Sequence, residues 1–336
     1  MKKTCLVMLM MFLGAAYVRG EKMKQEKRSD LRPSDGYITT GDGVRLFFQI
    51  LGSGEKTVII PNAIYLFDDF KRLVDGRTLI FYDLRNRGRS DHVSDASKLK
   101  GGIRHDVDDL EAVRQHFGVN KVDVIGHSYL GLMVILYAMK YPLHVNRVVQ
   151  IGPIQPKPGK QYPAHLTGAD ATLVEVSTKL AQLQKERESE NPTEFCKKWW
   201  SIARAIYVAD PADADKISSW GFCDLPTELN MMKHYTENIA PSIQSLNLEA
   251  EEVAMVKAPV LTVHGKRDRN APYGGGREWA LMLPRARLVT IENAAHAPWV
   301  EAPDRVFSSI ETFLEGMWPE AAQEVKSLDP QDDAVR

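Results

Sequence analysis

Short apolar runs alternate with helical segments over most of this chain, and this pattern limits the folds that it can adopt. The β-rich runs lie at 57–60, 78–82, 122–125, 148–151, 260–263 and 287–291. The helical segments lie at 69–74, 106–117, 131–141, 276–282 and 304–314. Such alternation is typical of a parallel sheet covered by helices. We therefore predict an α/β fold with a mostly parallel sheet and helices on both faces.

A hairpin precedes the first of these units. Residues 36–40 and 44–51 are β-rich and are separated by the turn Gly41-Asp42-Gly43, a typical hairpin signal. Together with the six later runs, these two segments predict an eight-stranded sheet.

The alternation stops at Gly152-Pro153 and resumes near Ala258-Pro259. The segment between them is rich in helix formers and aromatic residues. Within it, Asn191-Pro192-Thr193-Glu194 predicts a helix start, because it combines a capping side chain, an early proline and a reciprocal glutamate. We predict an α/β core at 36–154 and 251–316 and a helical insertion at 155–250, which we call the cap.

The two ends of the chain differ from the core in composition. Residues 1–20 have a positive start at Lys2 and Lys3, an apolar stretch and small residues around Arg19, which predicts a cleaved signal peptide and a secreted or periplasmic protein. The apolar stretch is short for a bilayer span, so we expect no stable membrane span after cleavage. A polar linker at 21–35 and a polar tail at 317–336 are expected to be mobile.

The charge balance disfavours two classes of partner. The formal net charge of the whole chain is −1. Without residues 1–20, which carry three basic residues and no acidic one, 40 basic and 44 acidic residues remain. No excess of positive charge is available to bind nucleic acid or an anionic membrane.

Two cysteines remain once Cys5 leaves with the signal peptide. In an oxidising compartment, Cys196 and Cys223 could form one disulfide, and two separate buried thiols are the alternative. No CxxC or Cys/His spacing accompanies them, and no HExxH helix occurs in the chain. We therefore predict no metal site and no cofactor.

The most informative local motif is Val122-Asp123-Val124-Ile125-Gly126-His127-Ser128-Tyr129-Leu130-Gly131. It is an apolar strand that leads into a serine between small residues and then into a helix. A nucleophile elbow has this context, because a sharp strand-to-helix turn exposes the serine hydroxyl. A serine needs a neighbouring base to act as a nucleophile.

The base and its partner are predicted after the last two strands. Asp268 follows the run at 260–263, and His296 follows the run at 287–291. Open α/β sheets place their sites after the carboxyl ends of strands. We therefore assign His296 as the base and Asp268 as the orienting acid, although Asp268 could instead cap the following helix. His127 is expected to point away from the nucleophile, and His264 is expected to be packed.

Residues 36–316 resemble the α/β-hydrolase family, in the branch with peptidase, esterase and lactonase members. The matching motifs are Gly126-His127-Ser128, Gly265-Lys266-Arg267-Asp268 and Asn293-Ala294-Ala295-His296. Asp83-Leu84-Arg85-Asn86-Arg87-Gly88-Arg89-Ser90 also resembles a loop of the family, which we interpret as structural. The chain departs from the family pattern at Leu130, where glycine is usual, and at Asn62-Ala63, where His-Gly is common.

The resemblance also implies an oxyanion hole and a reaction. The backbone N–H groups of Ala63 and Tyr129 are its expected donors, with the Asn62 side chain as an alternative. We expect acyl transfer to Ser128 with a carboxylic ester as substrate, or alternatively a short peptide cleaved by a prolyl-type aminopeptidase. A ligand-binding protein that retains the triad with little turnover is a third interpretation. The sequence does not predict an oligomeric state.

Overall fold

The computed structural model describes residues 33–186, 191–217 and 223–329. Its centre is an eight-stranded sheet in the order β1-β2-β4-β3-β5-β6-β7-β8. The strands are β1 Ser34–Thr39, β2 Arg45–Leu51, β3 Lys56–Pro61, β4 Arg77–Tyr82, β5 Val122–His127, β6 Val145–Ile151, β7 Val260–Gly265 and β8 Ala286–Ile291. β1 and β2 form an antiparallel hairpin, β2 pairs antiparallel with β4, and the remaining pairs are parallel. The predicted mostly parallel α/β sheet is confirmed.

Helices lie between and after the strands. Those of the core are α1 Ala63–Phe70, α2 Ile103–His116, α3 Tyr129–Lys140, α9 Tyr273–Met282, α10 Pro298–Glu301 and α11 Pro303–Leu314. Those between β6 and β7 are α4 Ala171–Glu186, α5 Pro192–Ala203, α6 Pro226–His234, α7 Ala240–Gln244 and α8 Ala250–Val253. None of the helices in the described ranges is long and apolar enough to cross a membrane.

The central strands are buried on both faces, which explains their uninterrupted apolar sequences. In β3, Val58 and Ile60 pack into one core layer, and Ile59 packs into the other. β5 and β7 are buried along their whole length. Their carboxyl ends meet at one edge of the sheet, where the predicted site residues follow.

The first core helix begins earlier than predicted. It starts at Ala63, whereas the sequence pattern placed helix only at 69–74. Asn62 adopts a left-handed conformation (φ 73°), and its carbonyl accepts hydrogen bonds from the Tyr65 and Leu66 N–H groups. The Ile64 N–H donates to Asp83 Oδ1 over 2.7 Å. Because this cap comes from a loop after β4, local periodicity does not reveal the start of the helix.

In the insertion between β6 and β7, Cys196 and Cys223 form a disulfide with a Cα–Cα distance of 5.7 Å. Of the two alternatives left open by the sequence, the structure therefore has the disulfide. It joins α5 to the segment that precedes α6. The two parts of the insertion are thereby linked covalently.

The structure corrects the predictions for both polar ends. Ser34 and Asp35 belong to β1 and pair with Ile50 and Gln49, so they are not part of a linker. The tail also packs on the core as far as residue 329, since Gln323 bridges to Leu288 and Arg277 donates to the carbonyls of residues 327 and 328. The predicted signal peptide at 1–20, linker residues 21–32 and tail residues 330–336 lie outside the described ranges.

Candidate active site

Ser128 occupies the turn between β5 and α3. Its backbone has φ 60° and ψ −128°, and it is one of three non-glycine residues with positive φ in the described part of the chain. Such a conformation costs on the order of 1–3 kcal/mol and persists only where surrounding contacts enforce it. Here the Ser128 N–H donates to the Ile151 carbonyl over 2.9 Å, and the Ser128 carbonyl accepts from the Gly131 N–H over 2.9 Å.

Glycine permits this turn at Gly126, the first residue of the Gly126-His127-Ser128 motif. A Cβ on Gly126 would lie 2.1 Å from the Leu130 carbonyl oxygen, so any larger residue would clash. Leu130, which replaces the glycine common in the family, is 1% exposed and packs into the core. The departure at Leu130 is therefore compatible with a tight elbow.

Asp268 and His296 form a buried pair after β7 and β8. The His296 Nδ1 lies 2.8 Å from Asp268 Oδ2, and both side chains are almost fully buried. Asp268 Oδ1 accepts from the N–H groups of Asn270 and Ala271. Asp268 thus closes its own loop as well as orienting His296, whereas α9 begins five residues later.

The electrostatics of this pair favour an ionised Asp268. Burial acts to raise its pKa, but the His296 charge and hydrogen bonds from His264 and His296 outweigh burial and lower the pKa. A carboxylate that remains charged can hold His296 Nδ1–H and stabilise a positively charged imidazole.

The end of β6 connects this pair to the serine. Gly152 follows Ile151 with a positive φ, and a Cβ there would lie 3.0 Å from Asp268 Oδ2 and 3.2 Å from His296 Nδ1. Ile151 itself accepts the hydrogen bond from Ser128. The structure therefore brings Ser128, Asp268 and His296 to the same sheet edge.

Two histidines that the sequence analysis set aside contact this pair. His127 Nε2 lies 2.9 Å from the His296 carbonyl oxygen, and His264 Nε2 lies 3.2 Å from Asp268 Oδ2. Burial, and secondarily the charge of His296, hold the pKa of His127 well below its usual range, so His127 is neutral and donates to that carbonyl. The sequence signal that could have predicted the contact of His264 with Asp268 is its position at a strand end, four residues before Asp268.

The two predicted oxyanion donors each begin a helix. Ala63 is the first residue of α1, and Tyr129 is the first residue of α3. Helix N-termini present N–H groups and a partial positive charge to anions. The Asn62 N–H donates to the Tyr82 carbonyl over 2.8 Å, so it serves the sheet rather than the site.

Part of the cap lies against His296. The Tyr207 ring is 5.2 Å from the His296 ring and 5.8 Å from the Trp200 ring. The Ala297 N–H donates to the Tyr207 carbonyl over 2.8 Å. A series of edge-to-face and tilted ring contacts therefore runs from α5 to the predicted base.

Charged side chains beside Asp268 and His296 bind the same part of the cap. Arg269 donates to both carboxylate oxygens of Asp170 and to the carbonyls of Val208 and Ala209. Glu301 accepts from the Ala209 N–H and, through its other oxygen, from the N–H of residue 295. The loops that carry Asp268 and His296 are thus bonded directly to residues 207–210.

A surface groove of about 710 Å³ lies elsewhere, between α1 and the α10–α11 region. It is lined in part by Phe67, Arg72, Trp299 and Phe307. Ser128, Asp268 and His296 do not line it. The site under the cap is therefore distinct from this groove.

The fold and this arrangement define an α/β-hydrolase. The sequence model of the alpha/beta hydrolase fold family matches residues 60–303. The chain belongs to this family and is one of its hydrolases.

Individual relatives agree with this assignment. A bifunctional esterase/perhydrolase of Acinetobacter calcoaceticus is 26% identical over 287 residues, which cover 80% of this chain and 95% of the relative. A proline iminopeptidase of Thermoplasma volcanium is 29% identical over 136 residues, or 38% of this chain and 45% of the relative. The structure of an esterase from Exiguobacterium antarcticum superimposes with a TM-score of 0.63 at 18% identity, covering 83% of this chain and 99% of that one.

Proposed function

We propose that this chain is a serine esterase that forms an acyl-enzyme on Ser128. The observation that carries this proposal is the strained Ser128 turn beside the buried Asp268–His296 pair. Strain of this kind is maintained by surrounding contacts and is common at catalytic positions. An esterase/perhydrolase that aligns with 80% of the chain supports ester substrates.

The proposed reaction begins when His296 takes the proton of the Ser128 hydroxyl as its oxygen attacks the ester carbonyl carbon. The N–H groups of Ala63 and Tyr129 stabilise the tetrahedral oxyanion. His296 then passes the proton to the leaving alcohol, and the bond between the carbonyl carbon and that alcohol breaks. A water molecule, deprotonated by His296, releases the acid and regenerates Ser128. Asp268 keeps the imidazole in the required tautomer throughout.

Labelling with a fluorophosphonate, combined with a panel of chromogenic esters, lactones and aminoacyl anilides, tests this proposal. We expect Ser128→Ala to abolish both labelling and ester turnover while the far-UV spectrum remains native. Ser308→Ala is the matched control, because Ser308 is an exposed serine on α11. Wild-type ester turnover by folded Ser128→Ala would refute the proposed nucleophile.

The same panel separates the two alternatives. Preference for a proline anilide over every ester would favour the prolyl-type aminopeptidase, which the shorter match to a proline iminopeptidase supports. Labelling of Ser128 with no turnover of any substrate would favour a ligand-binding protein.

We also propose that the protein is exported and that residues 1–20 are removed. The charged start and apolar stretch of these residues support the proposal. The Cys196–Cys223 disulfide also supports it, because disulfides persist mainly in oxidising compartments. Intact-mass analysis of secreted material should give a chain that begins near Glu21, and recovery of only full-length protein from the cytosol would contradict export.

A further inference from the structure

We propose that His264 is a positioning residue that holds the Asp268 carboxylate in place for His296. This inference rests on the proposed serine-hydrolase function. It concerns a residue outside the triad, fully buried at the end of β7. Its side chain approaches the same carboxylate oxygen as His296 does, at 3.2 Å compared with 2.8 Å.

The neighbours of His264 determine which nitrogen carries its proton. Nε2 lies 3.2 Å from Asp268 Oδ2 and 3.1 Å from the Ala271 carbonyl oxygen. Both of these atoms only accept hydrogen bonds when Asp268 is ionised, so Nε2 must be the protonated nitrogen. The Nε2–H of His264 therefore donates to the Ala271 carbonyl, and the carboxylate oxygen of Asp268 lies 3.2 Å from the same nitrogen.

The other face of the ring is packed against α9. A Cβ added to Gly276 would lie only 2.1 Å from His264 Nδ1. Nδ1 has no hydrogen-bond partner among the described residues, so a proton on this nitrogen would have no acceptor. The contacts of the ring therefore place a proton on Nε2.

The helix sequence fits this role. Residues Gly274-Gly275-Gly276 lie in the first turns of α9, although glycine is a poor helix former. Gly276 provides the space in which the His264 ring fits against the helix backbone. Glycine at position 276 therefore lowers the helix propensity of the segment but lets the His264 ring pack close to the helix backbone.

With His264 included, four donors surround Asp268. The N–H groups of Asn270 and Ala271 bind Oδ1, and His264 and His296 share Oδ2. The carboxylate can neither rotate nor take a proton without losing hydrogen bonds. His264 therefore limits how much of the carboxylate charge acts on His296.

The variants described below leave the other charged and titratable side chains around this site unchanged. Arg269 is directed away, toward Asp170. Among the described residues, His127, Tyr207 and Tyr273 have rings that contact His296 or His264, and Glu301 accepts from the N–H of residue 295.

The test compares two amide substitutions at one position. In His264→Gln the amide nitrogen is as many bonds from Cβ as Nε2 and can still donate to Asp268. In His264→Asn it stops at the level of Nδ1. We expect His264→Asn to lower kcat on a chromogenic ester by about tenfold, as the loss of a residue that orients a metal-bound histidine does, with KM within twofold of wild type. His264→Gln should recover most of this loss.

The pH profile provides a second readout. Without the His264 donor, more of the Asp268 charge acts on His296, so the base is protonated more readily. The acidic limb of the kcat/KM profile should therefore move to higher pH in His264→Asn, and less in His264→Gln. A packing defect alone would lower the melting temperature without moving this limb.

The outcomes distinguish this inference from the proposed function. If the wild type turns over no substrate, the proposed function fails. If the wild type is active through Ser128, equal kcat values and equal acidic limbs in His264→Asn and wild type overturn the role of His264. Equal losses in the Asn and Gln variants also overturn it, because they would indicate that ring packing, not the donor, matters.

Discussion

Reduction of the Cys196–Cys223 disulfide should destabilise the protein by an amount that follows from the size of the closed loop. The two cysteines are 27 residues apart. The loop-entropy relation then gives a stabilisation of about 3.5 kcal/mol at 25 °C. Both sulfurs are buried, at 0% and 2% residue exposure, so comparing the oxidised and reduced wild type keeps the same atoms in the core.

Urea unfolding of the two forms measures this difference. Each form is unfolded in denaturant, refolded with or without a reductant, and monitored by tryptophan fluorescence. Trp199 and Trp200 lie in α5, one turn after Cys196, and report on this region. We expect the reduced protein to unfold at a urea concentration lower by about 1 M.

The matched control is Cys196→Ala/Cys223→Ala, whose unfolding midpoint should not depend on the reductant. Reduction of the disulfide should lower ester turnover by a smaller proportion than it lowers the free energy of unfolding, because Ser128, Asp268 and His296 all lie outside the closed loop. A midpoint shift below about 0.3 M on reduction of the wild type would refute the loop-entropy reasoning.

Three further predictions concern the site and its supports. Ser128→Ala and His296→Ala should each lower kcat by several orders of magnitude, and single-turnover assays should show the double variant little worse than either, because the residues act as one unit. Arg269→Gln should lower the free energy of unfolding by about 2 kcal/mol. This is less than the loss expected for a fully buried ion pair, because Asp170 is half exposed. The same substitution should raise KM more than it lowers kcat. Burial raises the pKa of Asp123 to about 6, above its unfolded value. Its contribution to stability is therefore present below about pH 4 and is lost as the pH rises through 6. Urea titrations of Asp123→Asn should lack this decline of about 3 kcal/mol in the free energy of unfolding.

The sheet could be predicted because the apolar runs that form its strands are local features of the sequence. The central parallel strands are largely buried on both faces and therefore have apolar runs, such as the one that ends at His127. The position of Ser128 after that run, and of Asp268 and His296 after the last two strands, follows from the chain order. Roles for these residues remain predictions, whereas their convergence at one sheet edge is structural.

The features that the sequence did not predict, or left open, depend on tertiary contacts. The start of α1 is stabilised by Asp83, which lies after the next strand. The sequence predicts His264 only as a packed residue at a strand end. Its contact with Asp268 depends on the direction of its ring, which the fold determines. The pairing of Cys196 with Cys223 and the packing of Gln323 on Leu288 likewise require the fold. None of these contacts leaves a periodic signal in the sequence.

The bonds between the triad loops and residues 207–210 have a mechanical consequence for access to the site. This strip is held by Arg269, by the Ala297 N–H and by Glu301. Those anchors sit beside the very residues proposed to do the chemistry, so the strip cannot lift without disturbing them. Displacing residues 207–210 would therefore also move the loops of Asp268 and His296, so we expect this strip to stay in place when a substrate enters.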